Sequence, residues 1–218
     1  EDFAYSHMST PEKRRAGYVG ITPAGVETRI SESGEILVKS PGNMVGYYKQ
    51  PEMTAECYTE DGYFKTGDRG EYSADGLLKI TGRVKELFKT SKGKYVAPVP
   101  IENLLNSDSY IELACVSGPG RPACYAMLQL GEEWRDKADD ATGRAGITAH
   151  LEKLLADIND QVEAYEQLQF LVVLRDQWDI GNNFLTPTLK IKRDVIEAAY
   201  EPFLDDWYAS RQKVIWQD

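Results

Sequence analysis

The spacing of turn signals changes near residue 85, and that change constrains the fold more than any other feature. Upstream, glycines and turn pairs cut the chain into short pieces. Downstream, longer apolar runs alternate with a helical stripe. In the upstream part, Val26–Ile30 and Glu35–Val38 are strand candidates joined through Ser33-Gly34. Asp61-Gly62 and Asp75-Gly76 are hairpin signals, because both residue types tolerate positive φ. Pro51–Cys57 reads as one short helix with proline in its first turn. The pattern predicts a small antiparallel β subdomain.

The downstream part is mixed. Glu86–Lys89 and Lys94–Val96 form a candidate hairpin around Lys92-Gly93, and Pro98–Leu105 a helix. Tyr110–Ser117 and Cys124–Leu130 are apolar strand runs separated by Gly118-Pro119-Gly120-Arg121-Pro122. Ile147, Leu151, Leu154, Leu155, Ile158, Val162 and Tyr165 recur at helical spacing and give one apolar stripe. Phe170–Leu174 is a further strand, and Asp194 is placed to cap a last helix through Val195, Ile196 and Tyr200. The expected class is α+β: a small antiparallel β subdomain, then a mixed α/β domain whose sheet is covered by helices.

Composition narrows the function classes. A net charge of −10 argues against a general nucleic-acid binder, which needs excess lysine and arginine to neutralise phosphates. No apolar stretch approaches the roughly 18 residues of a membrane span. No signal peptide is visible, and the first residue is Glu1, so an upstream portion of the same chain is expected to be missing. Cys57, Cys115 and Cys124 lack metal-ligand spacing. Cys115 and Cys124 sit in apolar strand runs and read as buried small hydrophobes, and a reducing cytoplasm is the simplest compartment. With only His7 and His150 present, histidine-based nucleophilic catalysis is disfavoured, and His150 reads as structural.

Three stretches carry chemistry. Asp68 follows Thr66-Gly67 at the end of a strand-like run. A carboxylate there can accept charge-assisted hydrogen bonds from the vicinal hydroxyls of a ribose, and Gly67 permits close backbone approach. A plain Gly-Asp turn is the simpler alternative. Arg83, fifteen residues on, offers a planar, permanently charged fork; the plainer reading is an exposed strand-end arginine. Between residues 79 and 94 lie Lys79, Arg83, Lys85, Lys89, Lys92 and Lys94 against the single acid Glu86. Such a patch would attract a polyphosphate ligand, or it is an ordinary charged hairpin. The third stretch, Leu185-Thr186-Pro187-Thr188-Leu189-Lys190-Ile191-Lys192-Arg193, is basic at its end.

In this order and spacing, Tyr63-Phe64-Lys65-Thr66-Gly67-Asp68, Gly82-Arg83-Val84-Lys85-Glu86 and the Leu185–Arg193 stretch resemble the C-terminal part of an adenylate-forming enzyme (AMP-dependent synthetase and ligase). The form is most like a long-chain fatty acyl-CoA synthetase. Gly17-Tyr18-Val19-Gly20, Gly34-Glu35-Ile36-Leu37-Val38 and Gly46-Tyr47-Tyr48 extend the resemblance upstream. It implies that residues 1–84 close a truncated large N-terminal domain and that 85–218 form a mobile C-terminal domain. It implies nucleotide binding by Asp68 and Arg83, with Lys85 at the hinge where the C-terminal domain pivots between two poses. Gly93 with Lys92 and Lys94 would face coenzyme A, the glycine leaving room for the pantetheine arm. Lys190 would be the catalytic lysine, following charge as a carboxylate attacks the α-phosphate of ATP; Lys192 is the competing candidate. Many relatives carry glycine before this lysine, where this chain has Leu189. Glu1 would be the last residue of a Mg²⁺-binding motif.

The resemblance therefore implies an ATP-dependent fatty acid–CoA ligase, with ATP, Mg²⁺, coenzyme A and a fatty acid as cofactors and partners. A cytoplasmic location follows, with peripheral membrane attachment left open. The family's Thr-Ser-Gly-Thr-Thr-Gly phosphate loop is not in this chain, so the fragment alone is expected to be inactive. The alternatives are an acyl-AMP ligase or carrier-protein loading domain, and a non-catalytic binding module.

Overall fold

The structure, a computed structural model, describes residues 6–217. These residues divide into two compact units at the Leu87–Phe88 junction.

The first unit is built on β1 (Glu27–Ile30), β2 (Glu35–Lys39), a short helix α1 (Pro51–Glu56), β3 (Phe64–Tyr72) and β4 (Leu78–Arg83). The four strands form one antiparallel sheet in the order β1-β2-β3-β4. Val26 lies just outside β1, and Cys57 caps α1 with its backbone N–H rather than extending it. Asp75-Gly76 closes the β3–β4 hairpin: Ser73 N donates to Leu77 O and Gly76 N to Ser73 O, both at 2.9 Å. Asp61-Gly62 likewise turns the chain between Tyr58 and Phe64, which form an isolated bridge. A small apolar cluster of Ile36, Val38 and Leu78 seals one face.

In the second unit β5 (Phe88–Lys89) and β6 (Tyr95–Val96) form a two-stranded ribbon. It is shorter than the sequence pattern predicts, because Val84–Glu86 is a 3₁₀ turn and Lys94 lies outside β6. After them come α2 (Pro98–Asn106), β7 (Ile111–Ser117), β8 (Cys124–Leu130), α3 (Glu132–Lys137), α4 (Ala141–Asn159), β9 (Leu168–Val173), α5 (Arg193–Tyr200), α6 (Leu204–Ser210) and β10 (Val214–Trp216).

The main sheet runs β10-β9-β8-β7, parallel except for the β7–β8 pair. Every residue of β8 is buried, because both faces of the sheet are covered. One face, with Ala114, Val116, Ala126, Leu128 and Val173, packs on Ile101 and Leu105 of α2 and on Ile147, Leu151, Leu155 and Ile158 of α4. The other, with Cys115, Tyr125, Met127, Phe170 and Val172, packs on Ile196 and Tyr200 of α5 and on Leu204 and Trp207 of α6. Cys115 and Cys124 are fully buried, and burial pushes the Cys124 thiol up to about 12.

Three expectations need correction. The apolar stripe of α4 stops at Asn159, whose side chain donates to Leu168 O (2.9 Å) and accepts from Leu168 N (2.8 Å), turning the chain into β9. Val162 and Tyr165 therefore lie beyond the helix. Asp194 is not a cap: α5 begins at Arg193 after Lys192, and Asp194 sits inside the first turn. That helix is not the last element either, since α6 and β10 follow it.

Candidate functional site

In the first unit the Thr66-Gly67-Asp68 stretch departs from regular strand. Glu35 pairs with Arg69 and Leu37 with Lys65, so two steps along β2 match four along β3. This extra length bulges the backbone. Side chains hold the bulge. Thr66 Oγ1 donates to Ile36 O (2.8 Å) and accepts from Asp68 N (3.1 Å), and Gly67 N donates to Glu35 Oε1 (2.9 Å). Gly67 has φ +73°, where glycine carries no steric penalty.

Asp68 is cross-strand partner to Arg83, and Arg83 Nε lies 3.2 Å from Asp68 Oδ1. Their side chains are 37% and 51% exposed, so solvent can be displaced from both by a ligand. The pair can present acceptors and donors side by side, which suits a sugar diol next to a phosphate.

Lys85 is exposed within the 3₁₀ turn Val84–Glu86, just before the junction of the two units. The six basic groups between 79 and 94 are shared between the two units. Lys79, Arg83 and Lys85 belong to the first unit and Lys89, Lys92 and Lys94 to the second. Lys79 and Arg83 also have acid partners, Glu71 and Asp68.

In the second unit Gly93 closes the β5–β6 turn with φ +80°. Thr90 N donates to Lys94 O and Gly93 N to Thr90 O, both at 2.9 Å. A Cβ on Gly93 would meet only Lys89 Cε at 3.9 Å, so the turn's backbone alone accounts for the glycine. Lys92 is exposed, and Lys94 Nζ lies 5.6 Å from the Tyr165 ring centroid.

The Lys190 segment is a tight hairpin. Leu185 bridges Ile191, Thr186 N donates to Lys190 O (2.8 Å), and Lys190 N donates to Thr186 Oγ1 (3.0 Å). The loop Pro187-Thr188-Leu189 ends with Leu189 at φ +59°. A three-residue hairpin loop calls for a left-handed residue at this place, ordinarily glycine. Leu189 takes up that left-handed conformation although it is not glycine.

The basic residues that follow have different fates. Arg193 is largely buried, with Nη1 2.6 Å from Glu102 Oε1, Nη2 3.0 Å from Oε2, and Nη1 2.7 Å from Val116 O. Lys192 Nζ donates to Asn183 Oδ1. Lys190 is exposed, and among the described residues its Nζ has no hydrogen bond or ion pair. Lys190 is thus the most exposed of the three and the one with no side-chain partner among the described residues.

Glu1, the candidate magnesium ligand, lies outside the described residues. Among the described residues no three His, Cys, Asp or Glu side chains gather in a group that could hold a metal ion. No helix among them is long and apolar enough to cross a membrane. His150 Nε2 lies 2.9 Å from Asp108 Oδ2 and its ring stacks on Tyr110, which stacks in turn on Trp134, a structural arrangement. Sequence reasoning missed Glu102. Its only local signal is an acid inside an apolar helix, at a position four residues after Pro98.

Residues 86–212 match the family model of the AMP-binding enzyme C-terminal domain. The chain belongs to this family of adenylate-forming, AMP-binding enzymes. It is 33% identical over 213 residues to fadD11 of Mycobacterium tuberculosis, assigned as a fatty-acid–CoA ligase, covering 93% of this chain and 37% of the relative. It is 31% identical over 206 residues to the long-chain-fatty-acid–CoA ligase FadD15 of the same organism (89% and 34%). To human long-chain-fatty-acid–CoA ligase 1 it is 29% identical over 190 residues (81% and 27%). The chain thus spans roughly a third of the length of these relatives. Among solved structures, the adenylation domain of a Segniliparus rugosus carboxylic acid reductase, in complex with AMP and a co-purified carboxylic acid, superposes with TM-score 0.71 at 22% identity, over 94% of this chain and 38% of that one. The likeness establishes a shared fold.

Proposed function

We propose that the chain is the C-terminal part of an ATP-dependent fatty acid–CoA ligase. The substrate carboxylate attacks the α-phosphorus of ATP, pyrophosphate leaves, and an acyl-adenylate forms. The thiol of coenzyme A then attacks the acyl carbon, its proton is lost to solvent, and AMP departs. Residues 1–84 complete the large N-terminal domain and residues 85–218 form the mobile one, with Lys85 as the pivot; residues 85–87, which cluster with the first unit, would be the short stretch that absorbs the φ/ψ change a pivot needs.

Asp68 accepts from the ribose hydroxyls, and Arg83 donates to the ribose or the adjacent phosphate. Lys190 brings an ammonium to the pentavalent phosphorus, where negative charge grows, and so lowers the barrier for adenylation. Gly93, Lys92 and Lys94 face coenzyme A, whose phosphates a basic turn attracts. The observation that carries the reading is the contrast within one motif: Arg193 is held by Glu102 and Val116, Lys192 donates to Asn183, and Lys190 is exposed on a hydrogen-bonded hairpin. The relatives' names favour a fatty acid as the carboxylate.

The test is a panel of carboxylic acids of increasing length on the full-length enzyme, with ATP, magnesium and coenzyme A. Pyrophosphate release and acyl-CoA formation should both peak at long chains. Acyl-adenylate without thioester would instead identify an acyl-AMP ligase. The 218-residue chain alone should form no acyl-CoA from palmitate under the same conditions, because the phosphate loop is not in it. The location that fits is cytoplasmic.

A further inference from the structure

The Arg193–Glu102 pair is more than a fold contact, and this inference rests on the adenylation role proposed for Lys190. Glu102 projects from α2, and its side chain is 7% exposed; that of Arg193, at the start of α5, is 13% exposed. The contact is bidentate, and both partners also grip β7: Glu102 Oε1 accepts from Val116 N at 2.8 Å, and Arg193 Nη1 donates to Val116 O at 2.7 Å. One strand residue thus has both backbone polar groups taken by the two halves of one ion pair. The hairpin that carries Lys190 ends two residues before this clamp.

A buried ion pair is poor at adding stability, because desolvation offsets the attraction. What it does supply is geometry: the guanidinium fork fits a carboxylate in one orientation, and here a strand fixes both. The base of the hairpin, which adjoins this clamp, is closed by the Leu185–Ile191 bridge, by Ile191 against the core, and by Lys192 N donating to Phe184 O at 2.8 Å. We infer that Glu102 and Arg193 are positioning residues that set the direction in which Lys190 leaves the domain, and hence the rate of adenylation rather than of thioester formation.

The experiment uses the full-length enzyme and reads two half-reactions: palmitate-dependent pyrophosphate exchange, and acyl-CoA formation from preformed palmitoyl-adenylate. Glu102→Gln should slow exchange by about 10- to 100-fold, the scale of a small misplacement of a reacting group, and should leave thioester formation close to wild type. A Glu102→Leu/Arg193→Met double variant removes both charges together and leaves Val116 N and O without their side-chain partners. It should melt no lower than Glu102→Gln, because no lone buried charge remains, and exchange should stay slow. Recovery of exchange along with stability would reduce the pair to a fold contact and overturn the inference. So would an equal loss of both half-reactions in Glu102→Gln. Lys190→Ala is the reference variant. If it fails to separate the half-reactions, the adenylation role itself falls; if it separates them and the Glu102 variants do not, only the positioning role falls.

Discussion

Asp68 and Arg83 meet across the β3–β4 ladder, with Arg83 Nε 3.2 Å from Asp68 Oδ1, on a strand that bulges immediately before the aspartate. Both side chains are more than one-third exposed, so the pair adds less than about 1 kcal/mol to stability. Its worth lies in what it offers a ligand. Asp68→Ala in the full-length enzyme should raise the KM for ATP by roughly 10- to 100-fold, from lost charge-assisted hydrogen bonds of about 1.5–3 kcal/mol. The melting temperature should scarcely move. An ATP titration of pyrophosphate release beside a thermal melt checks both. Unchanged KM would remove Asp68 from the nucleotide site.

Leu189 at φ +59° carries strain of about 1–2 kcal/mol that glycine would not feel. Leu189→Gly relieves it, while the freer unfolded chain offsets about 0.5–1 kcal/mol. The variant should therefore be neutral to slightly more stable in urea unfolding. Leu189→Val, β-branched at the same φ, should be less stable than wild type. A Leu189→Gly variant clearly less stable than wild type would contradict the hairpin geometry.

Gly143 lies in the first turn of α4, where Asp140 Oδ1 accepts from Thr142 N and Gly143 N at 2.8 Å each. Helix propensity predicts that alanine here would stabilise by about 1 kcal/mol. A Cβ would instead fall 1.8 Å from Lys137 O, a backbone atom. Gly143→Ala should therefore destabilise the second unit, as read by the urea midpoint. A stabilised variant would mean that the α3–α4 connection is looser than described.

The second unit should lose stability in alkali. Burial pushes the Cys124 thiol and the Tyr125 and Tyr200 phenols up to about 12, and Tyr208 higher still. Below about pH 9 both folded and unfolded chains keep these protons, and this stability is fully present. Above it the unfolded chain releases them while the folded chain does not, so stability falls with rising pH. The urea midpoint should decline from about pH 9 and continue towards pH 12. In the native state at pH 8, Cys57 should be alkylated while buried Cys115 and Cys124 are spared. A midpoint unchanged through pH 11 would contradict the burial of these groups.

Local patterns made much of this legible. The run that became β8 is buried throughout and that of β7 apolar over most of its length because both faces of their sheet are covered, and α4 announces itself by its stripe. Asp75-Gly76 marked a turn that occurs. What stayed hidden depends on distant partners. β10 is three residues long and exists only by pairing with β9. The stripe ran past Asn159 on spacing alone, since nothing local reveals that Asn159 bonds Leu168. Of the candidate site, the motif residues were readable one by one. The burial of Arg193 was not, because Glu102 lies 91 residues away in the chain. Leu189 gave no hint of a left-handed backbone, which leucine seldom adopts.

The most direct measurement compares Lys190→Ala and Lys192→Ala in the full-length enzyme across the two half-reactions. Lys190→Ala should abolish palmitate-dependent pyrophosphate exchange while acyl-CoA formation from preformed adenylate largely survives, and Lys192→Ala should retain both. Equal loss of the two half-reactions in Lys190→Ala, or loss of exchange in Lys192→Ala alone, would contradict the account.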